Sequence, residues 1–471
     1  MKFYIKTFGC QMNEADSERL VSVLKEKGYK KAPLEETDLI IINSCSVRQS
    51  AEDRVFGLNK KLKELKAKNE KLKTILTGCM NYHDLKVLKK KLWTVDEFLP
   101  IEEIFKKFGV NGDYLETVPK PDSSFSAYVP IMTGCNNFCA YCVVPYARGR
   151  ERSRPWKKII CEITRLVKSG VKEIILLGQN VNSFKGGITF PELLKKIEKI
   201  GPEPLAPRKR GTRVQGENNF WIRFITSHPK DFSDGLIKVI KNSKKITPYI
   251  HLPAQSGSNK ILKKMNRGYT REKYLNLIKK IRKEIPGVAI STDIIVGFPG
   301  ESSEDFEGTV ALFKKACFDM AYIARYSPRP KTAASKLKDS VSLKEKKKRE
   351  KILTKILEKT ALQNNKKYIG TTQKVLVEKK KNEAPRAKQK VPSDKEIYPS
   401  GFACGAESRT RGPIRSETES DVLLVRDGKY IGKTATFKNV LFSSDKKNLI
   451  GKFVLVKIKR AFPFGLEGSL K

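Results

Sequence analysis

The chain has 471 residues, 39% of them hydrophobic, and carries 95 Lys and Arg against 51 Asp and Glu, a formal charge of +44. Such a length needs two to four domains with cores of their own, and the hydrophobic share keeps the chain in the globular class. No run approaches the roughly 18 apolar residues of a membrane helix, and MKFYIKTFGCQMNEADSE lacks the apolar core of a signal peptide. Nine cysteines, an odd number, point to reduced thiols in a cytosol rather than to a disulfide frame. The positive excess predicts a polyanionic partner, RNA before a membrane surface, because no amphipathic helix stands out.

In the first hundred residues three segments repeat one pattern: FYIKTFGC, LIIINSC and KTILTGC. Each is an apolar or β-branched run closed by Gly or Ser and then by Cys10, Cys45 or Cys79. Their spacing, about 35 residues, is one strand plus one crossover helix, so three parallel strands are predicted to end in cysteine. Helices are predicted from Glu14 to Lys27 and from Ser46 to about Asn69, the second on Val47, Ala51, Val55, Leu58 and Leu62. The carboxyl ends of such strands face one crevice, where the three thiols should converge.

From about residue 119 to 362 the alternation continues. VPIMTG, EIILLG, WIRFITS, ITPYIHL, VAISTDIIVGF and MAYIARYS read as strands, with helices such as Trp156–Lys168, Pro191–Ile200, Ser258–Met265 and Arg271–Ile285 between them. About six βα units suit a partial parallel barrel. Residues 201–219 interrupt it with Pro, Gly and basic residues and read as a loop insertion.

Residues 331–390 hold twenty Lys and Arg against six Asp and Glu, a net of +14, and are expected to start as a helix and end in a basic linker. QKVLVEKK, ESDVLLVRDGKYIGKTATFKNVLF and LIGKFVLVKIKRAF are short strands with Gly and Asp turns, hence a small antiparallel barrel of a type that often binds oligonucleotides. Residues 382–418 have no clear period and read as an insertion. The expected architecture is multidomain α/β: a Rossmann-like parallel domain over 1–118, a partial (β/α)6 barrel over 119–362 and an OB-like barrel over 363–471.

GCNNFCAYC, residues 134–142, puts Cys135, Cys139 and Cys142 at C-x3-C-x2-C spacing. A four-iron cluster has four corners that thiolates normally hold, so three protein ligands leave one iron open to bind a small molecule. Structural zinc is the competing reading, but it prefers paired C-x2-C knuckles and a fourth ligand close by; within thirty residues of Cys142 there is only Cys161. Three histidines in all, His83, His228 and His251, leave little room for histidine-based metal sites. Arg148, Arg150, Arg152 and Arg154 alternate just past the loop and can grip phosphates or carboxylates, with a surface salt-bridge role as the bland alternative. His251 and Gln255 follow a barrel strand on the side where such barrels carry their sites. Cys161 and Cys317 lie in helical surroundings and are expected to be buried small hydrophobes, and Cys404 a free thiol.

The C-x3-C-x2-C loop with Tyr141 before its last Cys resembles the signature of the radical S-adenosylmethionine (SAM) enzymes. Together with TFGCQMNEADSE, INSCSVRQSAEDRVFG, TGCM, LLGQNVNSF, TSHP, HLPAQSGS, MNRGYT, STDIIVGFPGE and YSPRPKTAA, it makes the chain similar to the methylthiotransferases over residues 1 to about 335. Within that family the likeness is greatest to the group that makes 2-methylthio-N6-isopentenyladenosine in tRNA. The resemblance implies a methylthiotransferase domain, a radical-SAM core and a C-terminal TRAM domain. It implies two [4Fe-4S] clusters, one on Cys135, Cys139 and Cys142 that binds SAM, and an auxiliary one on Cys10, Cys45 and Cys79. It further implies SAM contacts by Tyr141, Gly178, Gln179, Asn180, Asp293, Gly297 and Gly300, while Arg148, Arg150, His251 and Gln255 are candidate substrate contacts by their chemistry and position.

One SAM would methylate a sulfur on the auxiliary cluster, and a second would yield the radical that removes hydrogen from C2 of the adenine at tRNA position 37. The implied partners are a tRNA anticodon stem-loop, an electron donor such as flavodoxin or ferredoxin, and a sulfur source, with no membrane and a monomeric enzyme. Threonylcarbamoyl-adenosine in tRNA, or an aspartate of a ribosomal protein, is the alternative substrate. A non-catalytic iron–sulfur RNA-binding protein is the alternative class, against which the two three-cysteine sets argue, since electron transfer calls for filled corners.

Overall fold

Leu39–Ser44 is buried at all six positions, as a strand covered on both faces must be, and it is the centre of the first domain. The computed structural model describes residues 1–47, 49–201, 220–381 and 428–471; the expected insertions, 201–219 beyond its first residue and 382–418, lie outside these, as does Cys404. A five-stranded parallel sheet runs in the order Lys30–Lys31, Lys2–Thr7, Leu39–Ser44, Lys73–Gly78, Glu97–Phe98. Helix Gln11–Glu26 begins three residues earlier than its apolar pattern suggested, directly on Cys10. The single helix expected over 46–69 is two, Gln49–Phe56 and Asn59–Lys68, broken at Gly57. Ala51, Val55 and Leu62 point into the core as expected, whereas Val47 is exposed.

Six parallel strands follow as two arcs: Trp221–Ile225, Glu173–Leu177, Ser126–Pro130, and Tyr249–His251, Ala289–Val296, Met320–Arg325. A single bridge, Ile222 to Ile246, joins them into an incomplete barrel. Helices Trp156–Lys168, Phe190–Glu198, Asp234–Asn242, Arg271–Glu284 and Ser303–Ala316 pack outside, contributing Ile159, Ile163, Leu193, Ile237, Ile278 and Phe313 to one continuous core. The expected strand VPIMTG is divided: Ser126–Pro130 joins the barrel, while Met132–Thr133 turns off to pair antiparallel with Arg152–Ser153 and launch the cysteine loop.

The basic tract is more ordered than a helix followed by a linker. Helix Leu343–Lys366 continues into strand Thr372–Lys380, and that strand closes a five-stranded barrel with Gly428–Thr434, Asn439–Ser444, Gly465–Leu470 and Phe453–Phe462. Its pairs are antiparallel except Asn439–Ser444 with Gly465–Leu470, which are parallel. This small barrel docks on the amino-terminal ends of the large barrel's strands. Arg223 reaches the carbonyls of Thr434 (2.9 Å) and Ala435 (2.8 Å), Lys438 pairs with Asp319 (2.7 Å), and Tyr249 stacks on Phe437. Among the described residues no helix is long and apolar enough to cross a membrane.

Candidate functional site

The opposite, carboxyl-terminal end of the large barrel carries the first cysteine set, and the strands of the first domain carry the second. Cys135, Cys139 and Cys142 sit on the loop between Thr133 and helix Val144–Ala147. Two left-handed residues bend it, Gly134 (φ +75°) and Phe138 (φ +46°), and a side chain on Gly134 would collide with the Arg150 carbonyl, so only glycine fits there. The loop is closed by Cys142 N to Cys139 O (2.9 Å) and Cys135 N to Gly149 O (3.2 Å), and anchored by Ala140 N to Met265 O and Ala334 N to Ala140 O. Arg150 lies over the Phe138 ring at 4.4 Å.

Sulfur atoms in this loop receive N–H donors, the arrangement by which proteins hold and tune iron–sulfur ligands. Asn137 Nδ2 points at Cys135 Sγ (3.5 Å) and Arg267 Nη1 at Cys139 Sγ (3.4 Å). Arg267 is itself fixed by Tyr269 Oη, Tyr141 Oη and the Pro253 carbonyl. Burial works against its charge, but Tyr141, Tyr269 and Cys139 more than offset this and keep it protonated. Burial, reinforced by the neighbouring thiols, pushes Cys142 up to about 12 and also raises Cys135, so without a metal these thiols keep their protons, and metal binding must displace them.

The second set comes from three strands of the first domain. Cys45 and Cys79 directly follow Ser44 and Gly78, and Cys10 is the N-cap of helix Gln11–Glu26, three residues beyond its strand. Two glycines let the turns close on one another: a Cβ on Gly9 (φ +130°) would lie 2.5 Å from Cys45 Cβ, and one on Gly78 (φ +85°) 2.5 Å from the Ser44 carbonyl. Asn13 and Asn43, both buried, lock the turns by bonding each other and the Ser44 carbonyl. Val47 N donates to Cys45 Sγ (3.4 Å) and Arg148 Nε to Cys79 Sγ (3.4 Å). No three His, Cys, Asp or Glu among the described residues are gathered tightly enough to cage a single ion, so the fit of a cluster rests on the donor chemistry of the loops.

Arg148 joins the two sets. It follows the C-x3-C-x2-C loop, yet its buried guanidinium turns to Cys79 and pairs with Asp16 at 2.8 Å. Sequence reasoning directed it to an anionic substrate and missed Asp16. The rest of the alternating run also turns inward or sideways: Arg152 pairs with Glu102 and Asp113, and Arg154 is buried against Glu162. Helix Val144–Ala147 packs on the turn Cys79–Tyr82, and a second tie runs from Arg329 to Gln49 (2.6 Å) and Glu52 (3.3 Å). Burial alone would raise Glu52, but hydrogen bonds from His83 and Ser46 and the Arg329 charge hold it below its usual range.

Around the barrel mouth many polar atoms are buried without a partner among the described residues: Gln179 Oε1, Asn180 Oδ1, both polar side-chain atoms of Asn182, Thr226 Oγ1, Ser227 Oγ and His228 Nε2. Asn180 Nδ2 is held by Asp231 (2.7 Å), and Gly178 is wedged against Met132. A cavity of about 440 Å³ opens here, lined by Asn136 and Asn137 of the cysteine loop and by Asn180, Asn182, Lys230 and Asp231. His228 Nδ1 accepts from Lys230 N, and burial with the Arg267 and Lys230 charges pushes the imidazole down to about 2, so it is a neutral Nε2–H donor and no acid–base group. His251 is bonded on both nitrogens, to Ser291 (2.8 Å) and Asp293 (3.3 Å), and Gln255, at φ +70°, donates its N–H to the Asp293 carbonyl.

Gly297 and Gly300 lie on the turn after Val296. The Gly297 N–H meets Glu301, which pairs with Arg349 (2.7 Å), and Gly300 N donates to Ser340, so both are wedged between the barrel and the segment leading into helix Leu343–Lys366. The expectation for the spare cysteines fails: Cys161 is exposed, and Cys317 is half-exposed at the left-handed end of helix Ser303–Ala316, its thiol on the Lys314 carbonyl.

Residues 129–313 match the Radical SAM superfamily and residues 2–100 the Uncharacterized protein family UPF0004. The chain is 40% identical over 496 residues to the tRNA-2-methylthio-N(6)-dimethylallyladenosine synthase of Clostridium botulinum, covering 99% of this chain and 96% of that one. The synthase of the same name from Carboxydothermus hydrogenoformans is also 40% identical, with 99% of each chain covered. That of Endomicrobium trichonymphae is 42% identical over 83% of this chain and 92% of its own. In fold the chain is similar to the radical SAM methyltransferase TsrM from Kitasatospora setae, with a TM-score of 0.52 at 12% identity over 71% of this chain and 77% of that one.

Proposed function

Because the chain belongs to the tRNA-2-methylthio-N(6)-dimethylallyladenosine synthase family of radical SAM enzymes, we propose how its residues divide the work of that reaction. The enzyme is a tRNA methylthiotransferase that adds a methylthio group to C2 of N6-dimethylallyladenosine at tRNA position 37, using SAM and a [4Fe-4S] cluster. In our reading there are two clusters: Cys135, Cys139 and Cys142 hold the one that binds SAM, and Cys10, Cys45 and Cys79 hold an auxiliary one. Bound there, the first would supply the electron for cleavage of SAM to a 5′-deoxyadenosyl radical able to take the C2 hydrogen, and the second would supply a site for the sulfur to be methylated.

The protein's own groups bind, orient and exclude water. Arg267 fixes the SAM loop through Cys139 and Tyr141, and its N–H lowers the electron density on that sulfur. Gln179 and Asn180 offer amide oxygens with no partner among the described residues, suited to the ammonium and hydroxyl groups of SAM, with Gly178 keeping the turn close to Met132. His251 orients Asp293, whose half-exposed carboxylate we assign to the ligand, and Gln255 fixes the backbone beside it. Gly297 and Gly300 act by holding the end of that strand, and Arg150 by covering the cysteine loop. An electron donor, a sulfur source and the tRNA anticodon stem-loop are the required partners, which puts the enzyme, as a monomer, in the cytosol.

The observation that supports this reading is Arg148, six residues past Cys142, whose guanidinium donates to Cys79 of the other three-thiol set. The test is nucleoside mass spectrometry of tRNA after anaerobic incubation with iron-reconstituted protein, SAM, sulfide and a reductant. A methylthio gain on isopentenyl-bearing tRNA alone is expected; a gain only on threonylcarbamoyl-bearing tRNA would change the substrate and keep the mechanism.

A further inference from the structure

The helices on the outer face of the first sheet carry positive charge that the protein leaves unanswered. Val55, Leu62, Leu65 and Leu88 fix Gln49–Phe56, Asn59–Lys68 and the short helix Leu85–Lys91 on that face. The other face is taken by Gln11–Glu26, whose Met12 and Ala15 pack on the large barrel, so the outer layer is turned to solvent. Residues 60–91 hold eleven Lys against three Asp and Glu, a net of +8. Of the three acids, Asp84 is committed to capping Leu85–Lys91 through Lys86 N and Val87 N. Lys61 and Lys66 pair with Glu35 and Asp96, but Lys60, Lys63, Lys86, Lys89, Lys90 and Lys91 meet no carboxylate among the described residues.

Three aromatic rings hold some of these cations in fixed places. Lys6 Nζ and the Arg54 guanidinium share the Phe8 ring, at 6.0 and 5.8 Å from its centre. Lys91 Nζ lies 5.0 Å from the centre of Phe56, and Lys63 Nζ 5.9 Å from that of Trp93, a side chain 60% exposed. Asn59 donates to the carbonyls of both Phe56 and Lys91 and so ties the middle step to the helices. Two cations over one ring repel each other, and an anion between them relieves this. The row begins at Phe8, two residues before Cys10, and is therefore continuous with the second thiol set. A membrane surface fits poorly: the seven-residue helix spends Leu88 on the core and exposes only Leu85 and Val87, too little apolar area to lie in a lipid interface. We propose that Lys6, Arg54, Lys91 and Lys63 form a phosphate track that grips the sugar–phosphate backbone of the tRNA where it passes the first domain. This rests on tRNA being the substrate.

The test is the salt dependence of tRNA affinity for the full-length protein, read by fluorescence anisotropy. Each lysine seated on a phosphate adds about one to the slope of log affinity against log salt, so Lys63→Gln with Lys91→Gln should lower the slope by about two and weaken binding roughly tenfold. Lys63→Arg with Lys91→Arg keeps both charges and should keep the slope. Lys238→Gln with Lys279→Gln removes two exposed lysines from the outside of the large barrel and should leave it at the parent value. An unchanged slope in the first pair, or an equal fall in the last, would overturn the track. So would weaker binding of the first pair to phosphatidylserine vesicles with an unaltered tRNA slope, which would make the band a membrane contact. Wild type that binds no tRNA would overturn the substrate reading and the track together, whereas wild-type binding with an unchanged variant slope overturns the track alone.

Discussion

The two ends of the large barrel are built from the same six strands and treat polar groups in opposite ways. At the amino-terminal end the buried charges are matched. Arg223 spends itself on Glu173 (2.6 Å), Thr247 and two carbonyls of the small barrel, and the Arg223 charge with its hydrogen bond more than offsets burial to hold Glu173 below the usual carboxylate range. At the carboxyl-terminal end Gln179, Asn180, Asn182, Ser227, His228 and Arg148 keep buried polar atoms unmatched among the described residues. Saturation at one end gives cohesion between domains; unspent capacity at the other marks where ligands complete the structure.

The largest effects should come from the unsaturated end, and they should be functional rather than structural. Cys135→Ala is expected to abolish 5′-deoxyadenosine formation from SAM, whereas Cys10→Ala should leave that cleavage and stop methylthio transfer. Chromatography of the SAM products beside tRNA nucleoside analysis separates the two. Retained methylthiolation in the Cys10 variant would sink the two-cluster assignment.

At the saturated end the effect should be on stability. Arg223→Met leaves Glu173 buried without its partner, a loss of about 3–5 kcal/mol. Adding Glu173→Gln removes the stranded charge and should restore most of it, since a buried pair is worth far less than half of a pair costs. Thermal unfolding of the single and double variants measures this. SAM cleavage per folded molecule should stay at the parent level, and a specific loss of turnover would mean that the two ends are coupled.

What was legible in the sequence follows the range over which each signal acts. Cys135, Cys139 and Cys142 share eight residues, and Cys10, Cys45 and Cys79 share a repeated strand ending, so both sets could be read. Five of the six barrel strands were equally plain, because a strand buried on both faces is a continuous apolar run, as in Glu173–Leu177, whereas VPIMTG ran past the end of Ser126–Pro130 into Met132–Thr133. Arg267, 128 residues from Cys139, and Asp16, 132 from Arg148, belong to no periodic pattern, and their roles exist only once the chain is folded. Two misreadings were avoidable. Gly57 interrupts the helical stretch after Ser46. Cys161 lies about 200° round its helix from the buried Ile159, on the solvent side.

Glu18 sharpens the comparison, because it has the signature of the unsaturated end without lying there. It faces the segment between the first two domains; Oε1 accepts from Asp122 N at 3.2 Å and Oε2 is buried without a partner among the described residues. Burial, aided by the Asp122 and Glu14 charges, raises it from 4.5 to about 7. For a carboxyl raised in the folded state, the associated stability is complete below the unfolded value near 4.5 and is lost as pH rises from there through about 7. Glu18→Gln should therefore match the parent near the acidic end of that window and exceed it above the upper end, by at most about 3 kcal/mol. Urea unfolding of both proteins across that range measures the difference, with methylthio transfer unchanged. A variant that stabilises at high pH shows that an unmatched buried oxygen away from the mouth is a liability of packing. A variant that instead loses transfer would make Glu18 part of the site, and the saturated and unsaturated regions would no longer divide along the barrel axis.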